Sequence, residues 1–411
     1  MRIFQDMGRL LQERWLKVQH SEEAFPDIAA EVLRELAPHQ AFKTLEPLEW
    51  LYGTRDFPKQ LTTRPGFGQP ALTVFSDSRL LIDLYYWVDG TTDIHQHGFC
   101  GAFQVLQGSS IHGHYRWHER HKVNSRLALG DMELLSVTGL RTGDIHRIHG
   151  GDRYIHSLFH LERPSVTCVV RTLHSPEGGY QYSYKKPHLA YYPGVEDAHT
   201  SKVLQSLSLL AELNPPERTR LISGLIERSD LLTCFLVFER LLQLHKKLEA
   251  LDPYWDVAVR THGALAEELR PVFKEYMRQA LLIDRRGQVK DPEHRYFLAL
   301  LLNIDRGEHI QQLVRERFPD REPVELIMKW VTALTQPAQD GGRARDSLGV
   351  PMDESALIVF RELLHSRGHA EVMTRLKETF DAEEVDGQAD DIVALAASLR
   401  ESTLFRPLFQ R

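Results

Sequence analysis

Two histidines spaced two apart, His95 and His97, sit in the segment DGTTDIHQHGFCGAFQVLQG (residues 89–108). A second segment, GDIHRIHGGDRYIHSLFH (143–160), supplies His146, His149, His156 and His160. In a strand, residues i and i+2 point to one face, so His95 and His97 can turn both imidazoles toward one ion. A third imidazole from the later segment would complete a facial set of three nitrogens. Neutral imidazole suits iron, zinc, nickel or copper, and three protein ligands leave coordination positions open for other molecules. Of the 21 histidines, 13 fall between His95 and His199, which puts the candidate chemistry in the middle of the chain.

The elements around these histidines are short. ALTVFSD, RLLIDLYYWV, AFQVLQG, SSIHGHYRWH, LALGDMELLSVT, GDIHRIH and SVTCVVRTL are rich in β-branched and aromatic residues and are separated by glycine, aspartate and serine, which predicts strands of a sandwich or barrel. SSIHGHYRWHERH, with His112 and His114, reads as a solvated hairpin because it runs into Arg116, Arg120, His121 and Lys122. Ahead of the strands, Phe4, Met7, Leu10, Leu11 and Trp15 recur at helical spacing, FPDIAAEVLREL reads as a second helix opened by Pro26, and residues 51–69 read as a loop. After about residue 200, stripes such as Leu231, Cys234, Phe235, Phe238, Leu241 and Leu242 predict helices, which recur in HRYFLALLLN, EHIQQLVRERF, ELIMKWVTAL, ESALIVFRELLHSRG and ADDIVALAASLR with a loop at Gly341-Gly342. The fold class is therefore α+β: N-terminal helices over residues 1–65, a β-barrel with the metal site over 66–195, and an all-α region over 196–411.

Gly90-x4-His95-x-His97 closed by Gly108, followed by Gly143-Asp144 leading to histidine, resembles the two motifs of the cupin superfamily, whose fold is a small jelly-roll barrel. Many cupins carry a glutamate ligand seven residues before the closing glycine; that position is Gly101 here, and no acidic residue occurs between Ile94 and Trp117. Within the superfamily, the Trp87-x-x-Gly90, the Ile94-His-x-His pair, the following cysteine and the closing Leu-Gln-Gly are similar to cysteine dioxygenase and related thiol dioxygenases. The resemblance covers about residues 70 to 185 and implies an iron(II) centre held by three histidines. His95 and His97 match the family pair. His156 matches the third ligand, because it precedes PSVTCVVRTLHSP, which resembles the family's last barrel strand; His146, His149 and His160 remain rivals.

The resemblance also implies supporting residues. Cys100 falls one residue short of the family's cysteine, and the tyrosine the family crosslinks to it falls at His174, with Tyr180, Tyr182 and Tyr184 nearby. The family's carboxylate-binding arginine falls near Leu72, which leaves Arg79 or Arg171, with Tyr182, to bind substrate. His160, His146 and Cys100 are the candidates for catalytic or ligand-supporting roles.

The function so implied is a non-haem iron(II) oxygenase oxidising a small thiol, or a related metal-coordinating metabolite other than free cysteine, with O2. Two other readings stay open: a non-catalytic barrel that binds a small molecule or acts as a scaffold, and a zinc or nickel enzyme of hydrolysis or isomerisation. Charge narrows the partners. With 50 Lys+Arg against 57 Asp+Glu the net charge is −7, so the cationic field needed for nucleic acid is missing. No apolar run approaches a membrane span, and the first residues, MRIFQDMGRLLQERW, lack the apolar core of a signal peptide. Three scattered cysteines without a CxxC pair fit a reducing, cytoplasmic setting. The helical region can serve a homodimer.

Overall fold

The computed structural model describes residues 1–60, 68–88, 93–175, 179–194, 197–335 and 352–410. Gly90, the turn ahead of the histidine pair, and the Gly341-Gly342 loop lie outside them. The chain divides into two compact units, Met1–Met277 and Arg278–Arg411. This division falls later than the change of residue pattern near residue 196.

The first unit opens with α1 (Arg2–Lys17), α2 (Phe25–Leu36), α3 (Pro38–Ala41) and α4 (Glu46–Gly53). The strands follow: β1 (Ala71–Ser76), β2 (Leu80–Trp87), β3 (Ile94–His97), β4 (Gly101–Gln107), β5 (Ser109–Asn124), β6 (Leu127–Arg141), β7 (Ile145–Ile148), β8 (Gly151–His160), β9 (Ser165–Thr172), β10 (Ser183–Lys185) and β11 (Leu189–Tyr191). One sheet runs β1-β2-β9-β4-β7; the other closes on itself in the order β10-β11-β6-β5-β8-β3. Set against each other, the orders 2-9-4-7 and 3-8-5-6 are those of a double-sheet jelly roll, the architecture that cupins share with capsid and lectin domains. The α+β class and the barrel between helices are thus as the sequence implies.

Strands β2 and β9 are buried along their whole length, which matches the nearly unbroken apolar sequence of β2, while β9 places Thr167 and Arg171 among apolar residues. Their two faces meet different partners. Leu84, Tyr86, Cys100, Ala102, Cys168 and Val170 point outward and pack beneath Phe4, Met7 and Leu11 of α1 and Ile28, Val32 and Leu33 of α2. Burying each such apolar side chain contributes about 1.5–3 kcal/mol, so the amphipathic helices are held by this face rather than by their own helix propensity. The alternate residues Tyr85, Trp87, Phe103, Val105 and Val169 point inward and meet Leu140, Ile148, Tyr154 and Leu158 of the other strands.

Past the barrel, α5 (Ala198–Leu213), α6 (Arg218–Glu227), α7 (Leu231–His245), α8 (Asp252–His262), α9 (Ala264–Glu267) and α10 (Leu269–Gln288) follow, α10 running through the division between the units. Asp230 caps α7 by accepting from the Thr233 amide, which fixes its start. The expected stripe of Cys234, Phe235, Phe238, Leu241 and Leu242 is buried, and it packs with Leu127, Leu129, Leu189 and Tyr191 of the barrel. In the second unit α11 (Pro292–Asn303), α12 (Gly307–Arg317), α13 (Pro323–Thr335), α14 (Glu354–Leu364), α15 (His369–Lys377), α16 (Ala382–Gly387), α17 (Ala389–Glu401) and α18 (Arg406–Phe409) surround fully buried Phe297, Trp330, Phe360 and Phe405. Among the described residues no helix is long and apolar enough to cross a membrane.

Gly101 carries the closest approach between strands of the first sheet. A Cβ there would lie 1.9 Å from the carbonyl oxygen of Val170 and 2.9 Å from the Arg171 Cα, both backbone atoms that cannot move without parting β4 from β9. Gly101→Ala should therefore cost about 1–3 kcal/mol of overpacking strain. Urea unfolding of the two proteins at one pH measures it, as a lower midpoint for the variant.

Candidate metal centre

Strand β8 carries the centre because it is paired on both edges. On one side His156 stands opposite His95 of β3; on the other it stands opposite His114 of β5. Residues directly opposite in an antiparallel pair share a face, so these side chains all turn into the barrel. The β3 register shifts between His95 and His97, the latter pairing with Gly151, and the irregularity brings both imidazoles to the same point.

His95, His97 and His156 are buried, and their ligand nitrogens lie within 4.8 Å of one another. Nε2 of His97 is 2.9 Å from Nε2 of His156. Two nitrogens at that separation, each about 2.0–2.1 Å from a common ion, subtend an angle near 90°, as a facial site requires. Nδ1 of His95 lies 2.7 Å from the Asp93 carbonyl and donates to it, which leaves Nε2 as the ligand atom. Nδ1 of His97 is buried with no hydrogen-bond partner. Burial lowers the pKa of His95 and holds His97 and His156 well below the usual histidine range, with neighbouring imidazoles adding to the effect on the latter two, which keeps all three imidazoles neutral. Three uncharged imidazoles converging on one point, without a carboxylate, fit a divalent metal ion.

The centre opens on a cavity of about 350 Å³ lined by Tyr85, Trp87, Phe99, Phe103, Ile148, Leu158, Val169, Thr167, Arg171, Leu173 and Gln181 with the three histidines. Its charged wall is Arg171, which is 9% exposed and gives its Nε–H to Asp83 at 2.8 Å. The same Asp83 oxygen accepts from the Tyr85 hydroxyl at 3.2 Å, and the other accepts from Thr73 at 2.7 Å. The guanidinium lies 4.8 Å from the centre of the Phe99 ring, which itself packs 4.7 Å from His97. The carboxylate of Asp83 and the neighbouring phenol keep Arg171 charged against its burial, raising its pKa.

Other expected residues are placed elsewhere. Cys100 follows cavity-lining Phe99, and alternation sends it to the opposite face, under the helices; its thiol donates to the Glu22 carbonyl at 3.5 Å, and burial pushes it up to about 11. It neither ligates nor touches the cavity. Arg79 is exposed in the turn between β1 and β2, held through its backbone amide by Asp77. Tyr182 points away from the cavity and donates to the Ser125 carbonyl at 2.6 Å, while its neighbour Gln181 lines the cavity instead. His160 stacks on Trp87 at 4.5 Å and bonds Ser110 through Nδ1, apart from the three ligand nitrogens. His146 stacks on Phe103 at 5.5 Å and meets the His112 ring edge-on at 4.7 Å, two rings removed from the ligand point. His149 is partly buried beside Arg153 and Glu23, outside the cavity.

His112 is the residue that the hairpin reading misplaced. It is 5% exposed, its Nε2 is 3.2 Å from His156 Nδ1, and the Tyr154 hydroxyl lies 3.1 Å from the same nitrogen. The basic residues that suggested a solvated hairpin begin only at Arg116, where β5 leaves the barrel interior. The period-two run Ser110, His112, His114 was the signal that its early half faces inward.

No family model and no curated protein matches the chain. Among solved structures, hydroquinone 1,2-dioxygenase from Sphingomonas sp. TTNP3 with 4-hydroxybenzoate bound is 12% identical, covering 27% of this chain and 70% of that one, with a TM-score of 0.21. A protein with a double-stranded β-helix domain from Klebsiella pneumoniae is 17% identical over 32% of this chain and 99% of that one, with a TM-score of 0.20. Oxalate oxidase is 14% identical over 39% and 63%, also with a TM-score of 0.20. Likeness this slight bears on no activity, and the strand order alone identifies the jelly roll.

Burial holds His112 and His160 at about 3, against 6.5 for free histidine. Between these values the unfolded chain binds protons that the native chain refuses, so stability is complete above pH 6.5 and is lost progressively as pH falls toward 3. Urea midpoints measured from pH 8 down to pH 4 should decline below about 6.5, and His160→Gln should flatten that decline by its one proton.

Proposed function

We propose that the chain is a non-haem iron(II) oxygenase that oxidises a small metal-coordinating substrate, a thiol or a comparable anionic donor, with O2. The observation that carries this reading is the set of three neutral, buried imidazoles without a carboxylate, facing a cavity of small-molecule size. An iron(II) ion held by three neutral imidazoles would keep the charge that favours an anionic donor and would supply the redox chemistry that oxygen requires.

The protein's own residues do the rest. His95, His97 and His156 would hold the ion, and the cavity they face is where substrate would enter. Arg171, clamped by Asp83 and seated against Phe99, presents its remaining N–H groups to an acceptor on the substrate and orients it. Trp87, Phe103 and Leu158 exclude water, which strengthens each of these polar contacts. Zinc or nickel at the same nitrogens would instead favour hydrolysis or isomerisation, and oxygen uptake separates the cases. The three buried free thiols suit a reducing compartment such as the cytoplasm.

The test is anaerobic loading with iron(II), followed by oxygen-electrode assays against a panel of small thiols and phenols. We expect one iron per chain and substrate-dependent oxygen uptake that is absent from zinc-loaded protein and from His97→Ala. Iron content far below one per chain, or uptake equal in His97→Ala, would refute the reading. With an active substrate, Arg171→Lys keeps the charge but loses the forked donor, and should raise KM about tenfold with a smaller change in kcat.

A further inference from the structure

A buried imidazole at position 112 needs a reason. The neighbouring inward positions include apolar side chains, Phe103 and Leu158 among them, so a polar ring at this point must answer to a polar partner. The reason lies in what its ring faces. A neutral imidazole has one N–H and one lone pair. If the lone pair of His156 Nε2 is to face the ligand point, where His97 Nε2 stands 2.9 Å away, the His156 proton must sit on Nδ1. The atom facing that Nδ1, at 3.2 Å, is Nε2 of His112. For that nitrogen to accept, His112 must carry its own proton on Nδ1.

We propose that His112 is a positioning residue of the metal centre: its Nε2 accepts the Nδ1 proton of His156, fixing the tautomer and ring plane that turn His156 Nε2 toward the ion. Metal-ligating histidines usually give their second N–H to a carboxylate, a backbone carbonyl or water. Here a second imidazole takes that place. It is steadied by His146 edge-on at 4.7 Å and by Phe103 edge-on at 6.1 Å. The Tyr154 hydroxyl, 3.1 Å from the same Nε2, competes with His156 for its one lone pair. Tyr154 therefore weakens rather than builds the support, which gives the two neighbours opposite effects when removed.

This inference rests on the reading that the three histidines hold a metal, and its test uses cobalt(II) and zinc binding to the full chain, without reference to turnover. Affinity is measured by competition with a chromophoric chelator, and the cobalt ligand-field bands report the geometry. His112→Leu should bind 10- to 100-fold more weakly and shift those bands. His112→Gln, whose amide oxygen can accept from His156, should recover most of the affinity, and Tyr154→Phe should bind at least as tightly as the unaltered chain. Ring 15N spectra of zinc-loaded, unaltered protein should show His156 protonated on Nδ1 and His112 Nε2 without a proton, a readout that does not depend on any variant folding. Failure of the unaltered chain to bind either metal would sink the metal reading itself. Tight binding by the unaltered chain with equal affinity in His112→Leu, or a proton on His112 Nε2 in the zinc form, would overturn the role of His112 alone.

Discussion

The double pairing of β8, to β3 on one edge and to β5 on the other, is the constraint on which the centre depends. Backbone hydrogen bonds set His156 opposite His95 and, on the far side, opposite His114, so the imidazoles meet because the register brings them together and not because they attract. Neutral imidazoles gain little from one another. Their burial with one unpartnered nitrogen, His97 Nδ1, costs stability that the surrounding ladder and the apolar barrel wall must cover. A slip of one residue along β8 would turn His156 outward and dismantle the cluster, which makes the centre a sensitive reporter of barrel register.

The two faces of the first sheet show how closely function and packing are interleaved. Along β9, Val166, Cys168 and Val170 lie beneath the N-terminal helices, while Thr167, Val169 and Arg171 line the cavity. The same alternation separates Phe99 from Cys100. Docking of α1 and α2 on the outer face therefore fixes the inner wall without any residue of those helices lining the cavity.

The barrel's strands, the helical stripes and the His95-His97 pair were legible in the sequence because each is a local pattern of period two or 3.6. Cys100 was placed by its spacing from the Leu-Gln-Gly end, and Arg79 and Tyr182 by nearness in sequence, and both are blind to the face a residue takes; one step along the chain separates Cys100 from Phe99 and Tyr182 from Gln181. His112 escaped for another reason. Its segment is inward at Ser110 and outward by Arg116, and composition averaged over the whole of β5 hides the change. Asp83, a lone acid in an apolar strand, gave no hint that it clamps Arg171, since the two are 88 residues apart and meet only because β2 pairs with β9.

The Asp83–Arg171 pair sets the charge of the cavity wall. Because the guanidinium is already balanced by a carboxylate at 2.8 Å, the cavity wall offers hydrogen bonds but little net positive charge. On the proposed reading, an anionic donor would bring a charge that this wall does not neutralise and that a cation at the histidines would. Cation and anion would then be linked on that reading, each raising the affinity of the other by the same factor.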